Sequence, residues 1–349
     1  MTGPPSRRFL LLLVAAVVFA TAVTDSTTPG QDGAKTEVSI APNQAPGNVF
    51  GGEDVSLRFR VAGPRPAAGK VVWRVALGTA TVKAGELSLG AGDVTVKFAA
   101  PDAKDGVFIP LRLTLSVVAA GQPRPAATLE HDLTVFPRDP FTDRTEWLKG
   151  LDLRLFDPKG TTAKVLTAAK VPFEEIRTVD ALADVKVGVV VVGEGTSFKD
   201  ERGLGAALPK LAASGVAVLV LAPADGELPV PGLGGPVGGL GEVAFGREMV
   251  RRLDKRLDPD GWAGDGPTVT RTIAVKPGED GIVGEVAVGN VGWTWAEARQ
   301  SPGRGRWLFC GLAVVTKWDA GPTPRVLFAR MLEHLTGPES GNPKKEDGR

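Results

Sequence analysis

Two continuous apolar runs, at 187–192 and 216–221, constrain the fold of this chain more than any other feature. A stretch of helical character at 203–214 separates them. Such runs are typical of strands in a parallel sheet that is covered on both faces. Glu194 follows the first run and Asp225 follows the second. Because open α/β sheets bind ligands outside the carboxyl ends of their strands, the sequence predicts that both carboxylates lie near one ligand-facing edge.

The segments around these runs alternate between strand and helix, which predicts βαβ units with right-handed crossovers. Predicted strands lie at 153–156, 173–178, 187–192 and 216–221, and predicted helices at 161–170 and 203–214. A Gly- and Pro-rich loop at 229–241 follows and is expected to overhang the sheet edge, as a lid or as disordered chain. Further on, the sequence predicts a helix at 248–257 and strands at 268–275, 282–288 and 307–315, the first two antiparallel. The last helix is predicted to begin with Thr323-Pro324 as cap and first-turn proline and to stop at Gly337-Pro338.

The first half of the chain has a different sequence pattern. Short segments in which apolar and polar residues alternate lie between Gly- and Pro-rich turns. Predicted strands lie at 37–40, 55–61, 71–77, 94–98, 111–118 and 128–136. This spacing without helical periodicity indicates an antiparallel β-sandwich of immunoglobulin or fibronectin type, with Trp73 as its core aromatic. The predicted fold class is therefore α/β plus all-β, with an N-terminal antiparallel β-sandwich followed by a flavodoxin-like parallel-sheet α/β domain.

The N-terminus carries Arg7 and Arg8, an apolar run at 9–20 and small residues up to Ala22, the order found in a secretory signal peptide. The predicted organisation is a signal peptide at 1–22, a flexible leader at 23–36 and the sandwich at 37–140. The α/β domain is predicted at 141–336 and a disordered tail at 337–349. The expected location is periplasmic or extracellular, with no membrane anchor after cleavage.

Charge and residue counts exclude several function classes. Cleavage after Ala22 removes two of the 41 basic residues and no carboxylate, so 39 face 40 acidic residues and the net charge becomes −1. Such a chain has no electrostatic footprint for nucleic acid. Cys310 is expected to be a buried, inert thiol. His131 and His334 are too few and too separated for a Ser-His or Cys-His arrangement or a zinc site, so no metal is predicted. The Gly-rich stretches at 193–195 and 232–238 do not match a dinucleotide-binding fingerprint, so no cofactor is predicted.

The second half resembles the class I glutamine amidotransferase-like, flavodoxin-like domains that occur as accessory units in secreted bacterial sugar-processing proteins. Three segments carry the resemblance, which covers roughly residues 150–336: 183–195, 305–312 and Lys317-Trp318-Asp319. Active members of that family carry a Gly-x-Cys-x-Gly nucleophile turn with a partner His. Here the turn after the run at 216–221 reads Ala222-Pro223-Ala224-Asp225. The resemblance therefore does not extend to the amidotransferase reaction.

The candidate ligand-binding residues are carboxylates at strand ends and polar or aromatic groups near the last helix. They are Asp157, Glu194, Asp225, Trp318 and Asp319. Strand-end carboxylates also cap helices and order turns, which is the structural alternative for the first three. Aromatic faces flanked by polar groups suit sugar rings and protein partners, although a Trp at strand spacing also suits a core. Trp293, Trp295 and Trp307 share these two alternatives.

Three functional hypotheses follow. The first is an exported non-catalytic binding or assembly protein, with a carbohydrate or an envelope protein as partner. The second is a carboxylate-based glycoside hydrolase with Glu194 and Asp225 as the catalytic pair and Trp318 as a sugar platform, which requires carboxyl groups about 5 to 9.5 Å apart in an open cleft. The third is an envelope interaction protein in which residues 37–137 alone bind the partner.

Overall fold

The structure of the chain, a computed structural model, describes residues 37–337 with gaps at 65, 67, 91, 123, 138, 231–241, 247–248, 260–261, 279–280, 290–291 and 300–304. The predicted signal peptide and leader, most of the predicted loop at 229–241, and the predicted tail beyond Gly337 lie outside the described residues. No helix in the described part combines the length and the apolar character that a membrane crossing requires.

The first half of the chain folds into strands that form two sheets. The strands are β1 (Ser39–Pro42), β2 (Asn48–Phe50), β3 (Asp54–Ala62), β4 (Lys70–Leu77), β5 (Ala80–Ser88), β6 (Val94–Ala99), β7 (Ile109–Val118) and β8 (Ala127–Phe136). One sheet has the order β1-β3-β6 and the other has the order β2-β8-β7-β4-β5. Neighbouring strands are antiparallel except for β2, which runs parallel to β8.

Alternating side chains from both sheets share one hydrophobic cluster. In β3 every second residue is buried, and the buried positions include Leu57 and Phe59. The cluster also contains residues of β4, β6, β7 and β8. Trp73 lies in it at 6% exposure, so its prediction as a core aromatic is confirmed. Gly85 on β5 makes room for the indole, because a Cβ atom there would lie 2.7 Å from the ring of Trp73.

The second half of the chain combines helices with a seven-stranded sheet. The strands are β9 (Leu153–Phe156), β10 (Glu174–Ile176), β11 (Val189–Val192), β12 (Ala217–Leu221), β13 (Glu227–Pro229), β14 (Glu242–Gly246), β15 (Thr272–Gly278), β16 (Gly281–Ala287), β17 (Trp295–Arg299) and β18 (Arg306–Cys310). The helices are α1 (Thr145–Gly150), α2 (Thr161–Ala168), α3 (Leu204–Ser214), α4 (Met249–Leu253) and α5 (Pro322–Thr336), with 3-10 turns at Asp180–Asp184 and Lys255–Leu257.

The large sheet has the strand order β10-β9-β11-β12-β18-β17-β14. Its first five strands are parallel, and β17 and β14 continue it in antiparallel fashion. The prediction of a chain that combines antiparallel sheets with a parallel-rich α/β sheet is therefore confirmed. A separate three-stranded sheet has the order β13-β16-β15, and its β15-β16 pair confirms the antiparallel pair predicted at 268–275 and 282–288.

Both faces of the parallel strands are covered, as the apolar runs predicted. All residues of β11 and β12 are buried. One face packs in a cluster with Leu166 of α2 and with the apolar stripe of α5, and the other packs against α3 and the 3-10 turn Asp180–Asp184. Burial on both faces is what makes these strands uniformly apolar rather than alternating.

Three sequence expectations for this half were wrong in detail. The helix predicted at 248–257 is instead the short α4 (Met249–Leu253) followed by the 3-10 turn Lys255–Leu257. The strand predicted at 307–315 ends at Cys310, where Gly311 approaches the chain so closely that a Cβ atom would lie 2.0 Å from the carbonyl oxygen of Arg271. Thr323 is not the cap of the last helix, because Gly321 occupies that position and Thr323 is buried in the first turn. The predicted stop at Gly337 is confirmed.

The two halves share a buried contact in which Asn48 of β2 is the central polar group. Its amide nitrogen donates to Thr323 Oγ1 at 2.9 Å and to the carbonyl oxygen of Arg256 at 2.8 Å. Phe50 and Phe136 of the first half lie in the same hydrophobic cluster as the buried face of α5. These contacts fix the first half against α5, on the face of the large sheet opposite α3.

Candidate functional site

Three of the predicted site residues follow neighbouring parallel strands. Asp157 follows β9, Glu194 follows β11 and Asp225 lies four residues beyond β12. Because β9, β11 and β12 are adjacent and parallel, the three carboxylates lie along the carboxyl edge of one sheet. Their individual contacts decide what each of them can do there.

Glu194 is 9% exposed, and its carboxylate accepts hydrogen bonds from three donors. Oε2 accepts from the amide of Val315 at 2.6 Å, and Oε1 accepts from the amide of Thr316 at 3.2 Å and from its hydroxyl. These donors lie in the turn that follows β18. Glu194 therefore holds a turn 121 residues later in the chain against the end of β11.

The backbone of Glu194 is fixed as well, because its amide donates to Thr162 Oγ1 at 3.0 Å. Burial raises the pKa of the Glu194 carboxyl above its ordinary value of 4.5, against the opposing effect of the three donors and of the Arg271 charge. A buried carboxyl with a raised pKa is a feature of some general acids. Here, however, both carboxylate oxygens are bound to protein donors, so neither is directed at a substrate.

Asp225 and Asp157 are also engaged by the protein. Asp225 Oδ1 accepts from the hydroxyl of Ser197 at 2.8 Å. Asp157 Oδ2 accepts from the amide of Ala163 at 2.8 Å, which caps the first turn of α2. Asp157 Oδ1 is buried without a hydrogen-bond partner among the described residues and lies against Gly193, where a Cβ atom would come within 2.6 Å of it.

Arg271 and Lys317 complete the polar network at this edge, and the sequence analysis did not identify Arg271. Arg271 Nε donates to the carbonyl oxygen of Ala224 at 3.0 Å, so it fastens the turn after β12. Lys317 is 4% exposed and its ammonium donates to the carbonyl oxygens of Ala263 and Gly264 at 3.2 and 3.0 Å. Burial lowers the pKa of Lys317, and the charge of Asp265 opposes this effect. No motif in the sequence marks Arg271, because its partners are backbone carbonyl oxygens, one of the adjacent Thr270 and one of Ala224, which lies 47 residues away.

Trp318 lies in the core and does not offer a face to a ligand, so its assignment as a sugar platform was wrong. It is 4% exposed and stacks on Phe141 with a centroid distance of 5.8 Å and an interplanar angle of 9°. Asp319 is exposed and pairs with Arg325 at 2.7 Å. Of the three other tryptophans considered in the sequence analysis, Trp295 and Trp307 are core residues, each 1% exposed, whereas Trp293 is 40% exposed.

The two histidines and the cysteine, which the sequence analysis did not count as catalytic or metal-binding residues, make contacts of a structural kind. His131 Nε2 lies 3.2 Å from the carbonyl oxygen of Pro46, and His334 Nε2 lies 2.7 Å from Glu297 Oε2. Cys310 is fully buried, as predicted, and burial raises its pKa to about 12. Within the described ranges, no group of three or more His, Cys, Asp or Glu residues has the arrangement of a metal site.

A cleft of about 470 Å³ opens at the carboxyl ends of β9 and β10. Of the five predicted ligand-binding residues, only Asp157 lines it. The other lining residues are Leu155, Pro158, Lys159, Gly160, Ala163, Glu175, Ile176 and Arg177. Sequence reasoning missed this cleft because it forms between the loop before α2 and the end of β10, two segments that become neighbours only through the β9-β10 pairing.

No protein-family profile and no curated protein matches this chain. Among solved structures, an engineered protein aligns with 30% of this chain and 21% of its own length, at 19% identity and a TM-score of 0.22. A cycloisomaltooligosaccharide glucanotransferase of Paenibacillus sp., in complex with cycloisomaltoheptaose, aligns with 71% of this chain and 34% of its own length, at 10% identity and a TM-score of 0.26. TM-scores this low establish no shared fold, so neither protein bears on the proposals below.

Proposed function

We propose that the mature chain is an exported, non-catalytic binding or assembly protein associated with carbohydrate or with an envelope protein. Its parts would be an immunoglobulin-like sandwich and a flavodoxin-like α/β domain that resembles class I glutamine amidotransferases without their nucleophile. Counted from β9, the five parallel strands have the order 2-1-3-4-5, which is the flavodoxin order and supports the second assignment.

The observation that supports a non-catalytic role most strongly is the engagement of Glu194. Both oxygens of its carboxylate accept from donors of residues 315 and 316, and the Asp225 carboxylate accepts from Ser197. Glycoside hydrolysis requires one carboxyl group to reach the glycosidic oxygen and the other to reach the sugar or a water. Carboxylates that hold turns together do not meet this requirement, so the hydrolase alternative is not favoured.

The turn after β12 supports the same proposal. In the active family that the sequence resembles, the nucleophile would stand there, whereas this turn carries Pro223 and is tied down on two sides. The carbonyl oxygen of Ala222 accepts from the amide of Gly195, and the amide of Ala224 donates to the carbonyl oxygen of Thr196. The turn therefore has a structural role in joining β12 to the loop after β11.

The hypothesis that residues 37–137 alone bind the partner receives no support from the packing. Phe50 and Phe136 lie in a hydrophobic cluster with α5, and the side-chain amide of Asn48 donates a hydrogen bond to Thr323 in the second half. Separating the first half would expose these residues to water. We therefore propose that the whole chain from residue 37 to 337 acts as the binding unit.

A glycan array tests the carbohydrate part of this proposal directly. The mature protein, residues 23–349, is applied beside a Glu194→Gln variant whose folding is verified by circular dichroism. The proposal predicts that both proteins bind the same glycans. Binding lost in the folded Glu194→Gln variant would contradict it by placing Glu194 at the ligand, and no binding by either protein would favour the envelope-protein partner.

A further inference from the structure

The large sheet ends in an open edge strand, β14 (Glu242–Gly246). β14 pairs with β17 on one side, and the described residues place no further strand on its other side. An open edge presents a row of unpaired backbone N–H and C=O groups that another strand can join. This edge is therefore a surface through which a second chain can extend the sheet.

The direction of the backbone groups of β14 follows from the hydrogen bonds of its neighbours. The carbonyl oxygen of Thr294 accepts from the amide of the residue that follows β18, so the backbone groups of Trp295 and of every second residue after it face β14. Trp295 is the register partner of Gly246. The hydroxyl of Thr294 donates to the carbonyl oxygen of Gly246 at 3.5 Å, which agrees with this direction. The backbone groups of Val243 and Phe245 therefore face the open side of β14.

The residues of β14 do not protect this edge against pairing. The central residues, 243–245, are Val, Ala and Phe, without a charge or a proline. The charged residue Glu242 begins the strand and has Arg299 of β17 as its register partner. Natural sheets commonly protect an edge with a lysine, a proline, a bulge or a very short strand.

The other sheet edges in the described part of the chain carry such protection. β1 and β13 each end in a proline, and β2 and β10 have three residues each. β6 contains Lys97, and β15 contains Lys276 and Pro277. β5 contains Lys83 beside a shift in its register with β4. Among these edges, β14 is the one whose sequence leaves it open to another strand.

One side of β14 carries apolar side chains that are covered only in part. Val243 and Phe245 are half-buried at the margin of the hydrophobic cluster that contains the buried face of α3. The ring centroid of Phe245 lies 6.1 Å from that of Trp293, which is 40% exposed. A strand added at the edge would continue this apolar side and remove part of it from water.

The sequence of β14 is complementary to itself in an antiparallel pair. When a two-fold axis passes between two copies of Ala244, all five residues of the strand are paired. Val243 then lies opposite Phe245 of the second copy, which is a favourable pair of a β-branched and an aromatic residue. Glu242 lies opposite Gly246, so no like charges face each other. The open backbone groups of Val243 and Phe245 bond each other across the axis.

From the open edge and this register we infer that the chain forms a symmetric dimer in which two β14 strands pair and continue the large sheet from one copy into the other. The occupant of the edge is thus a second copy of the chain. This inference goes beyond the proposed function, which concerns the ligand of a single chain, and does not rest on it.

Sedimentation velocity on the mature protein, residues 23–349, tests the inference over a series of protein concentrations. A monomer–dimer equilibrium is expected, in which the dimer fraction rises with concentration. Val243→Pro is expected to weaken dimerisation roughly tenfold or more, because proline removes an N–H that faces the open side. The pairing of β14 with β17 uses the alternate residues, so this variant is expected to keep its fold, which circular dichroism verifies.

Two lysine variants locate the interface independently of the proline. Ala244→Lys is expected to weaken dimerisation by a similar factor, because it places two ammonium groups opposite each other across the axis. Ala84→Lys is the matched control, since Ala84 is an exposed alanine of the edge strand β5 in the first half of the chain. It is expected to dimerise as the unaltered protein does.

Cysteine cross-linking tests the register. The Cα atoms of a non-hydrogen-bonded antiparallel pair lie about 4.5 Å apart, within the range of roughly 4.4–6.8 Å that a disulfide spans. Ala244→Cys is therefore expected to give a covalent dimer on oxidation. Val243→Cys, which would lie opposite Phe245, is expected to give none. The native Cys310 is fully buried and does not compete.

A mature protein that stays monomeric at every concentration would overturn the inference. Dimerisation of unchanged strength in folded Val243→Pro and Ala244→Lys would overturn the assignment of the interface to β14. A covalent dimer from Val243→Cys but not from Ala244→Cys would overturn the register. The glycan array judges the proposed function separately, because it measures ligand binding and not the oligomeric state.

Discussion

Replacing Glu194 by Gln is expected to lower the free energy of unfolding by about 1–3 kcal/mol at neutral pH. The Glu194 carboxylate accepts hydrogen bonds from two backbone amides and one hydroxyl of residues 315 and 316. Gln keeps one acceptor oxygen and turns its amide nitrogen toward the remaining donors, so at least one buried N–H loses its partner. A buried donor without an acceptor costs roughly 1–3 kcal/mol.

The difference in the free energy of unfolding between the unaltered protein and Glu194→Gln is expected to depend on pH. Burial raises the pKa of Glu194 in the folded protein above the ordinary value of 4.5 that holds in the unfolded chain. The folded state therefore takes up the proton at higher pH than the unfolded state does, and stability rises as the pH falls through the raised pKa toward 4.5. Glu194→Gln lacks this gain, so the difference in stability between the two proteins widens on acidification and is smallest above the raised pKa.

Urea unfolding followed by circular dichroism measures both effects, because the midpoint shifts at an unchanged slope when only stability changes. Glu146→Gln is the control, since the Glu146 side chain is 90% exposed, and it is expected to change stability by less than about 0.5 kcal/mol. A Glu194→Gln variant as stable as the unaltered protein at neutral pH would refute the structural role. A difference that narrows on acidification would refute the stated cause of the pKa shift.

Three further outcomes follow from the packing. Asn48→Ala is expected to cost about 1–3 kcal/mol in urea unfolding, because Thr323 Oγ1 and a backbone carbonyl lose a buried donor; an unchanged midpoint would contradict this. Trp318→Ala is expected to cost roughly 3–5 kcal/mol, since the indole is 4% exposed and stacks on Phe141, and a cost near zero would mean that the ring faces solvent. Cys310 is expected to react with Ellman's reagent only after unfolding in guanidinium, because it is fully buried with a pKa of about 12, and fast labelling of the native protein would show otherwise.

The parts of the fold that the sequence predicts are those whose burial is visible in local patterning. The runs at 187–192 and 216–221 became β11 and β12 because burial on both faces requires apolar residues at every position. The period-two strand predicted at 55–61 became β3 because one of its faces is buried. β5 was missed because it is an edge strand, exposed along most of its length, and only its pairing with β4 makes it a strand.

The candidate site could be located from the sequence but its chemistry could not. The sequence places Glu194 at the end of a strand, but its three donors come from a turn 121 residues away, and no local pattern reveals them. Trp318 has polar neighbours in sequence, yet Phe141 and Phe328 cover its ring in the fold.

A turnover measurement on the mature protein with a panel of chromogenic glycosides and esters, beside folded Glu194→Gln and Asp225→Asn variants, tests the non-catalytic assignment. We expect all three proteins to release chromophore at the rate of the buffer blank, because Glu194 and Asp225 hold turns together. Release above the blank by the unaltered protein, abolished in a folded Glu194→Gln variant, would contradict this assignment and make Glu194 a catalytic residue.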